Sequence, residues 1–225
     1  LLLDMLRLSQ GVVVSMRDLL ERTGYDVRIG VADRPGAGPL MPEAGTLAAR
    51  IAALPSVGSV VTLRLEDADI EHATARLPMT IQGVGGNGPR PWTVLRGASL
   101  PAPRDAAGVS GRASPELLLN AYAAAALGVS PGEAVTVRAS CSDGNDALPP
   151  VAFRVSGVAE FPFDDADTPQ AATDAESLAR ACGEDAARAA NMILVTSAGD
   201  PDAAARAIGR LDPSVRVVTN AEAVA

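Results

Sequence analysis

The spacing of apolar positions changes along the chain, and each change predicts an element. Over residues 2–23, Leu2, Met5, Leu6, Val12, Val13, Met16, Leu19 and Leu20 recur at three- and four-residue steps, which predicts an amphipathic helix. Gly24 supplies its stop. Residues 25–31 then alternate apolar and polar, a strand signal. Leu47, Ile51 and Leu54 return to helical spacing until Pro55, and residues 57–65 read as strand again. This first unit is β-α-β.

The other end of the chain repeats the plan. Residues 192–195 are a strand, and Asp200-Pro201 opens a helix with a capping carboxylate and a proline in the first turn. Residues 215–218 close the unit. The two units also match in sequence: Ala48-Ala49-Arg50-Ile51 leads to Leu54-Pro55-Ser56-Val57, much as Ala205-Arg206-Ala207-Ile208 leads to Leu211-Asp212-Pro213-Ser214-Val215. Two such halves can form one split-βαβ, ferredoxin-like layer. The expected class is therefore α+β. An α/β subdomain is formed by residues 1–68 and 189–225, and a β-rich subdomain, 69–188, is inserted between its halves.

Within the insertion, residues 73–84 and 91–100 read as strands around a glycine-rich loop, 83–88. Ser114-Pro115 starts a helix through Leu127, ended by Gly128, and strands follow at 134–139 and 151–158. Residues 162–173 read as an acidic loop, ahead of a short helix at 175–182.

Composition narrows the chemistry. With 27 acidic and 19 basic residues the net charge is −8, and no basic run offers a track for phosphates, so nucleic acid is not an expected partner. Every basic residue is arginine, which excludes Schiff-base and Walker-type lysines. His72 is the only histidine, so one chain cannot build a histidine-rich metal site. It reads as a surface residue. No signal peptide or membrane span is evident, and neither end reads as a natural terminus.

Three motifs fail on context. Gly83, Gly85 and Gly88 fit G-x-G-x-x-G, but Pro89 and Pro91 follow where a dinucleotide site needs a helix. Gly128, Ser130 and Gly132 fit G-x-S-x-G in the order helix, serine, strand, the reverse of a nucleophile elbow. Asp164, Asp165, Asp167, Asp174 and Glu176 lack the spacing of a calcium loop and read as solvated. No catalytic, cofactor or metal residue is expected. Cys141 and Cys182 could pair in an oxidising compartment, where closing a loop of about 40 residues stabilises by roughly 3–4 kcal/mol. In a reducing one they would be two separate thiols.

Residues 127–137, LGVSPGEAVTV, and 153–160, FRVSGVAE, are similar to the L-G-x-x-x-G-D-x-[IV]-x-[IV] and F-x-V-x-G-V-x patterns of one family. Together with the leucine-rich opening, Leu54-Pro55-Ser56-Val57 and Gln82-Gly83-Val84, they make the chain resemble the MacB-like periplasmic core domain of FtsX-like ABC-transporter permeases. The resemblance implies a porter-like part with a sabre-like insertion, outside the cytoplasmic membrane and tethered by flanking helices. It implies no enzymatic activity. The implied partners are a cytoplasmic ATPase subunit, a second permease copy or paralogue, and an extracytoplasmic protein. The chain departs from the family's common form around residues 83–91 and 162–173, so Gly85, Gly86, Asn87, Asp164, Asp165 and Asp167 are expected to face a partner. A free-standing secreted ligand-binding module is the alternative, and a carboxylate-dependent hydrolase a third reading.

Overall fold

A computed structural model describes residues 24–31, 39–101, 114–141, 148–162 and 167–223. The helix expected over 2–23 lies outside the described residues. Four strands form the ferredoxin-like layer: β1 (Val27–Gly30), β2 (Val57–His72), β9 (Met192–Ser197) and β10 (Arg216–Thr219). Their order is β10-β1-β9-β2, and every neighbouring pair is antiparallel. Helix α1 (Ala44–Ala52) links β1 to β2, and α4 (Pro201–Leu211) links β9 to β10. Each β-α-β unit therefore straddles a strand of the other, as a split-βαβ fold requires.

Local chemistry sets these helices. Asp200 accepts from the N–H of Asp202, with Pro201 in the first turn of α4. Leu47 and Ile51 of α1 and Ala204 and Ile208 of α4 pack on Val27, Ile29, Val60, Ile193 and Val195. This is the first apolar core.

A second core lies along the same strand. β3 (Ala75–Gly86), β5 (Glu116–Leu119), β6 (Ala134–Ser140), β7 (Val151–Glu160) and β8 (Gln170–Asp174) continue the sheet, and β4 (Thr93–Gly97) pairs with β7 at its end. Because β6 pairs with both β7 and β2, the strands β2, β3, β8, β5, β7 and β6 close a ring. Ile70, Ile81, Leu117, Val137, Phe153 and Ala171, one from each of these strands, belong to one buried cluster. Helices α2 (Ala121–Leu127) and α3 (Ala175–Ala181) add Ala123, Leu127 and Leu178 to it.

The structure corrects the sequence reading in four places. The helix expected from 114 begins only at Ala121, because Glu116–Leu119 is a strand. Leu117 and Leu119 face the ring core, while Leu118 packs with Leu100, Ala159 and Phe161. A strand buried on both faces shows no alternation to read. Asn120 then caps α2 by accepting from Ala123 N–H. The last residues of the expected acidic loop, from Gln170, belong to β8, which runs parallel to β3. β2 does not stop at residue 65 but runs on to His72 as one 16-residue strand.

Lastly, residues 83–86 of the expected glycine-rich loop are strand. Gly83, Gly85 and Gly86 belong to β3, and Gly85 and Gly86 pair with Thr62 and Val61. A Cβ on Gly83 would sit 2.6 Å from Leu178 Cδ2, and one on Gly85 would sit 2.5 Å from Thr62 Oγ1 and 3.3 Å from Ala175 Cβ. Glycine is there so that α3 can lie against the strand. Gly83→Ala should therefore destabilise the fold by about 1–3 kcal/mol through overpacking. Gly199→Ala, where a Cβ meets nothing within 4 Å, should leave stability nearly unchanged. Urea unfolding of both variants checks this, and equal stability of the two would contradict the packing argument.

Candidate functional site

Two places in the fold concentrate polar contacts. The first is where the chain comes into β1 and leaves β10. Val27 pairs with Thr219, so both connections emerge from one end of the layer. Asn220 donates from its backbone N–H to Asp26 O at 2.9 Å and from Nδ2 to Tyr25 O at 2.7 Å. Thr196 Oγ1 donates to Gly24 O at 2.6 Å, and Ser197 donates to the Asp26 carboxylate from both N–H and hydroxyl. Tyr25 is buried among Val61, Val84 and Leu194. Its hydroxyl donates to Pro89 O.

Burial pushes the Tyr25 phenol up to about 12, with Arg90 pulling the other way. Folding favours the neutral phenol, so this stabilisation is complete below pH about 10 and is lost as pH rises through about 12. In a Tyr122→Phe background, absorbance titration should find Tyr25 ionising near 12 in the folded chain. A midpoint near 10 would contradict its burial.

The second place is a fork in the sheet. Along one edge of β2, residues 57–63 pair with β9 and residues 67–71 with β6, while β3 occupies the other edge. Residues 64–66 lie in the gap. Asn191 fills it: its N–H donates to Leu63 O at 3.0 Å, and its Oδ1 accepts from Leu65 N–H at 2.7 Å. Arg64 and Glu66 share the parity of Ala68 and Ile70 and turn inward, 4% and 5% exposed. Arg64 Nε meets Glu66 at 2.8 Å, and Arg64 NH1 meets Glu184, just beyond α3, at 2.7 Å. The carboxylate contacts favour the charged guanidinium strongly enough to raise its pKa despite burial, the largest single influence. Beside this group, Cys141 at the end of β6 and Cys182 at the end of α3 are joined by a disulfide. Glu66 and the two sulfurs form a group compact enough to surround a metal ion. The sulfurs are bonded to each other and Arg64 holds Glu66, so the arrangement is a clamp.

Arg64, Glu66, Glu184 and Asn191 were not candidates in the sequence. The available signal was two charges at core-facing positions of an apolar strand. Other expected residues fall elsewhere. Gly85 and Gly86 lie in β3, and Asn87 N–H donates to Val60 O. Asp167 is exposed in a turn, whereas Asp164 and Asp165 lie outside the described residues. His72 is only partly exposed and ends β2, with Nδ1 3.1 Å from Leu127 O. Ser130 sits in a turn where its N–H donates to Glu133, and Gly132 N–H goes to Val155 O.

Removing Arg64 would leave Glu66 charged and buried, at a cost of about 3–5 kcal/mol. Arg64→Met should therefore lower stability by that amount in urea unfolding with the disulfide intact. Arg64→Met with Glu66→Leu should recover most of it. A double variant no better than the single one would refute this account.

No family profile matches the sequence, and no curated protein matches it. Solved structures do. The periplasmic region of MacB from Actinobacillus actinomycetemcomitans matches with a TM-score of 0.61 at 12% identity, covering 91% of this chain and 94% of that one. The extracellular domain of the noncanonic ABC-type transporter YknZ from Gram-positive bacteria matches at 0.56 and 13% identity, covering 86% and 99%. The ferredoxin-like layer carrying a strand-built second core is thus the fold of the MacB-like extracytoplasmic domain.

Proposed function

We propose that this chain is a non-enzymatic extracytoplasmic domain of an ABC-transporter permease of the FtsX-like kind. In this reading it transmits motion of adjoining membrane helices to a substrate or partner protein outside the membrane. The observation that carries the reading is mechanical. β2 runs unbroken through both cores, 16 residues or roughly 50 Å at strand rise, and β3 pairs along most of it. Displacement at one end of such a ribbon reaches the other without a flexible joint. The clamp of Asn220 on Tyr25 and Asp26 makes the two chain connections move as one, as a lever's foot must.

No described helix is long and apolar enough to cross a membrane. In this reading flanking helices supply the tether. The ATPase subunit would act through that tether. A second permease copy or a paralogue, and an extracytoplasmic protein, are the further partners proposed. The two-subdomain division is part of this proposal: the β-rich ring, residues 69–188, serves as the working end and the ferredoxin-like layer as the base. Gly85, Gly86 and Asn87 at the end of β3, and Asp167 in the turn before β8, remain proposed partner contacts.

The native gene product should stay in the membrane pellet until detergent is added, and should co-purify with an ATPase. External protease should cleave it within this domain. A freely soluble product near 22.8 kDa would overturn the reading in favour of a secreted ligand-binding module.

A further inference from the structure

Residues 182–191 leave the end of α3 and run to β9, touching both cores on the way. At the ring end, Cys182 is bonded to Cys141 of β6. Three backbone hydrogen bonds tie the start of the segment to the helix: Cys182 N–H donates to Leu178 O, Gly183 N–H to Arg180 O and Glu184 N–H to Ala179 O. Gly183 takes a φ of +74°, which turns the chain out of the helix. That geometry sets Glu184 against Arg64 on β2. Toward the layer, Gly45 N–H donates to Arg188 O, and Met41 and Ala190 exchange two backbone hydrogen bonds. Asn191 then closes the gap in β2.

This segment is a strap across the fork, held at the ring by one covalent bond, one ion pair, the three backbone bonds to α3 and a hydrogen bond from Ala187 N–H to Glu176. The covalent bond fixes Cys182 two residues before Glu184, and so backs the ion pair alongside the backbone bonds that seat it. We propose that the Cys141–Cys182 disulfide is a redox-operated latch whose reduction slackens the strap and softens β2 at residues 64–66.

The chemistry is two-electron thiol–disulfide exchange with a dithiol reductant. One thiolate of the reductant attacks a sulfur, the Cys141–Cys182 bond breaks, and a mixed disulfide forms. The second thiol of the reductant then displaces the remaining protein sulfur. Two cysteine thiols and one oxidised, disulfide-form reductant result, with both protons passing from the dithiol to the protein. Cys182 is partly exposed and Cys141 9% exposed, so attack falls on Cys182. In the latched state the ring and the layer move as one body. In the released state the strap keeps its layer contacts but no longer fixes α3 and Glu184. The latch stands on this geometry alone, so its test does not depend on the permease reading.

Hydrogen exchange of the 225-residue chain, oxidised and then reduced with dithiothreitol in native buffer, tests it. Amides at 64–66 and 182–184 should exchange about tenfold faster after reduction, while Ala190, Ile29, Ile51 and Ile208 change less than about twofold. Reoxidation should restore the first pattern. The Cys141→Ala, Cys182→Ala double variant should show the released pattern without reductant. In the oxidised chain, Glu184→Gln should loosen 64–66 and leave 182–183 protected. Unchanged protection at 64–66 and 182–184 on reduction would overturn the latch. Equal loosening throughout the chain, or a double variant that does not fold, would overturn it too, making the disulfide a general staple.

Discussion

One constraint shapes the molecule: the same edge of one strand must be shared by two partners. β9 uses the first part of the β2 edge and β6 uses the last part. Strands as wide as these cannot meet end to end without a gap, and a buried gap leaves backbone groups unpaired, which is costly. Asn191 answers the backbone need at Leu63 and Leu65 with its own N–H and side-chain oxygen. The space behind it holds Arg64, Glu66, Glu184 and the disulfide. A buried ion pair is weak evidence for stability in general, since apolar residues of equal volume often do as well. Its value here is directional. Guanidinium and carboxylates accept one arrangement of β2, α3 and the strap, where leucines would accept several.

The second core follows from the first. Once β2 has passed the fork it must bury its inward face again, and the ring of β3, β8, β5, β7 and β6 does so. The helix that fills the space beside β3 can approach only because Gly83 and Gly85 lack side chains. Sheet, helix and strap are therefore one arrangement.

The base layer was legible in the sequence because its elements keep clean periods. Alternation at 25–31, helical spacing at Leu47 and Ile51, and the Asp200-Pro201 start all correspond to observed elements. The family patterns led to the fold that the solved structures share. What stayed hidden was decided at long range. Leu117, Leu118 and Leu119 look helical until two separate clusters bury them. The glycines of β3 resemble a loop until α3 is placed against them. The fork residues lie far apart in sequence, with Glu184 120 positions from Arg64, so no local window could unite them.

The close approach of the two chain connections has a consequence for how such a domain travels between proteins. Asn220 lies within hydrogen-bonding distance of Tyr25 and Asp26, so the fold of the described residues hangs from what is almost a single point. A host polypeptide needs only a short break in one of its loops to accept it, and the segments on either side of the break stay where they were. The described fold is thus suited to being grafted whole, enlarged or exchanged for a variant, while the host architecture on the far side of the junction remains undisturbed.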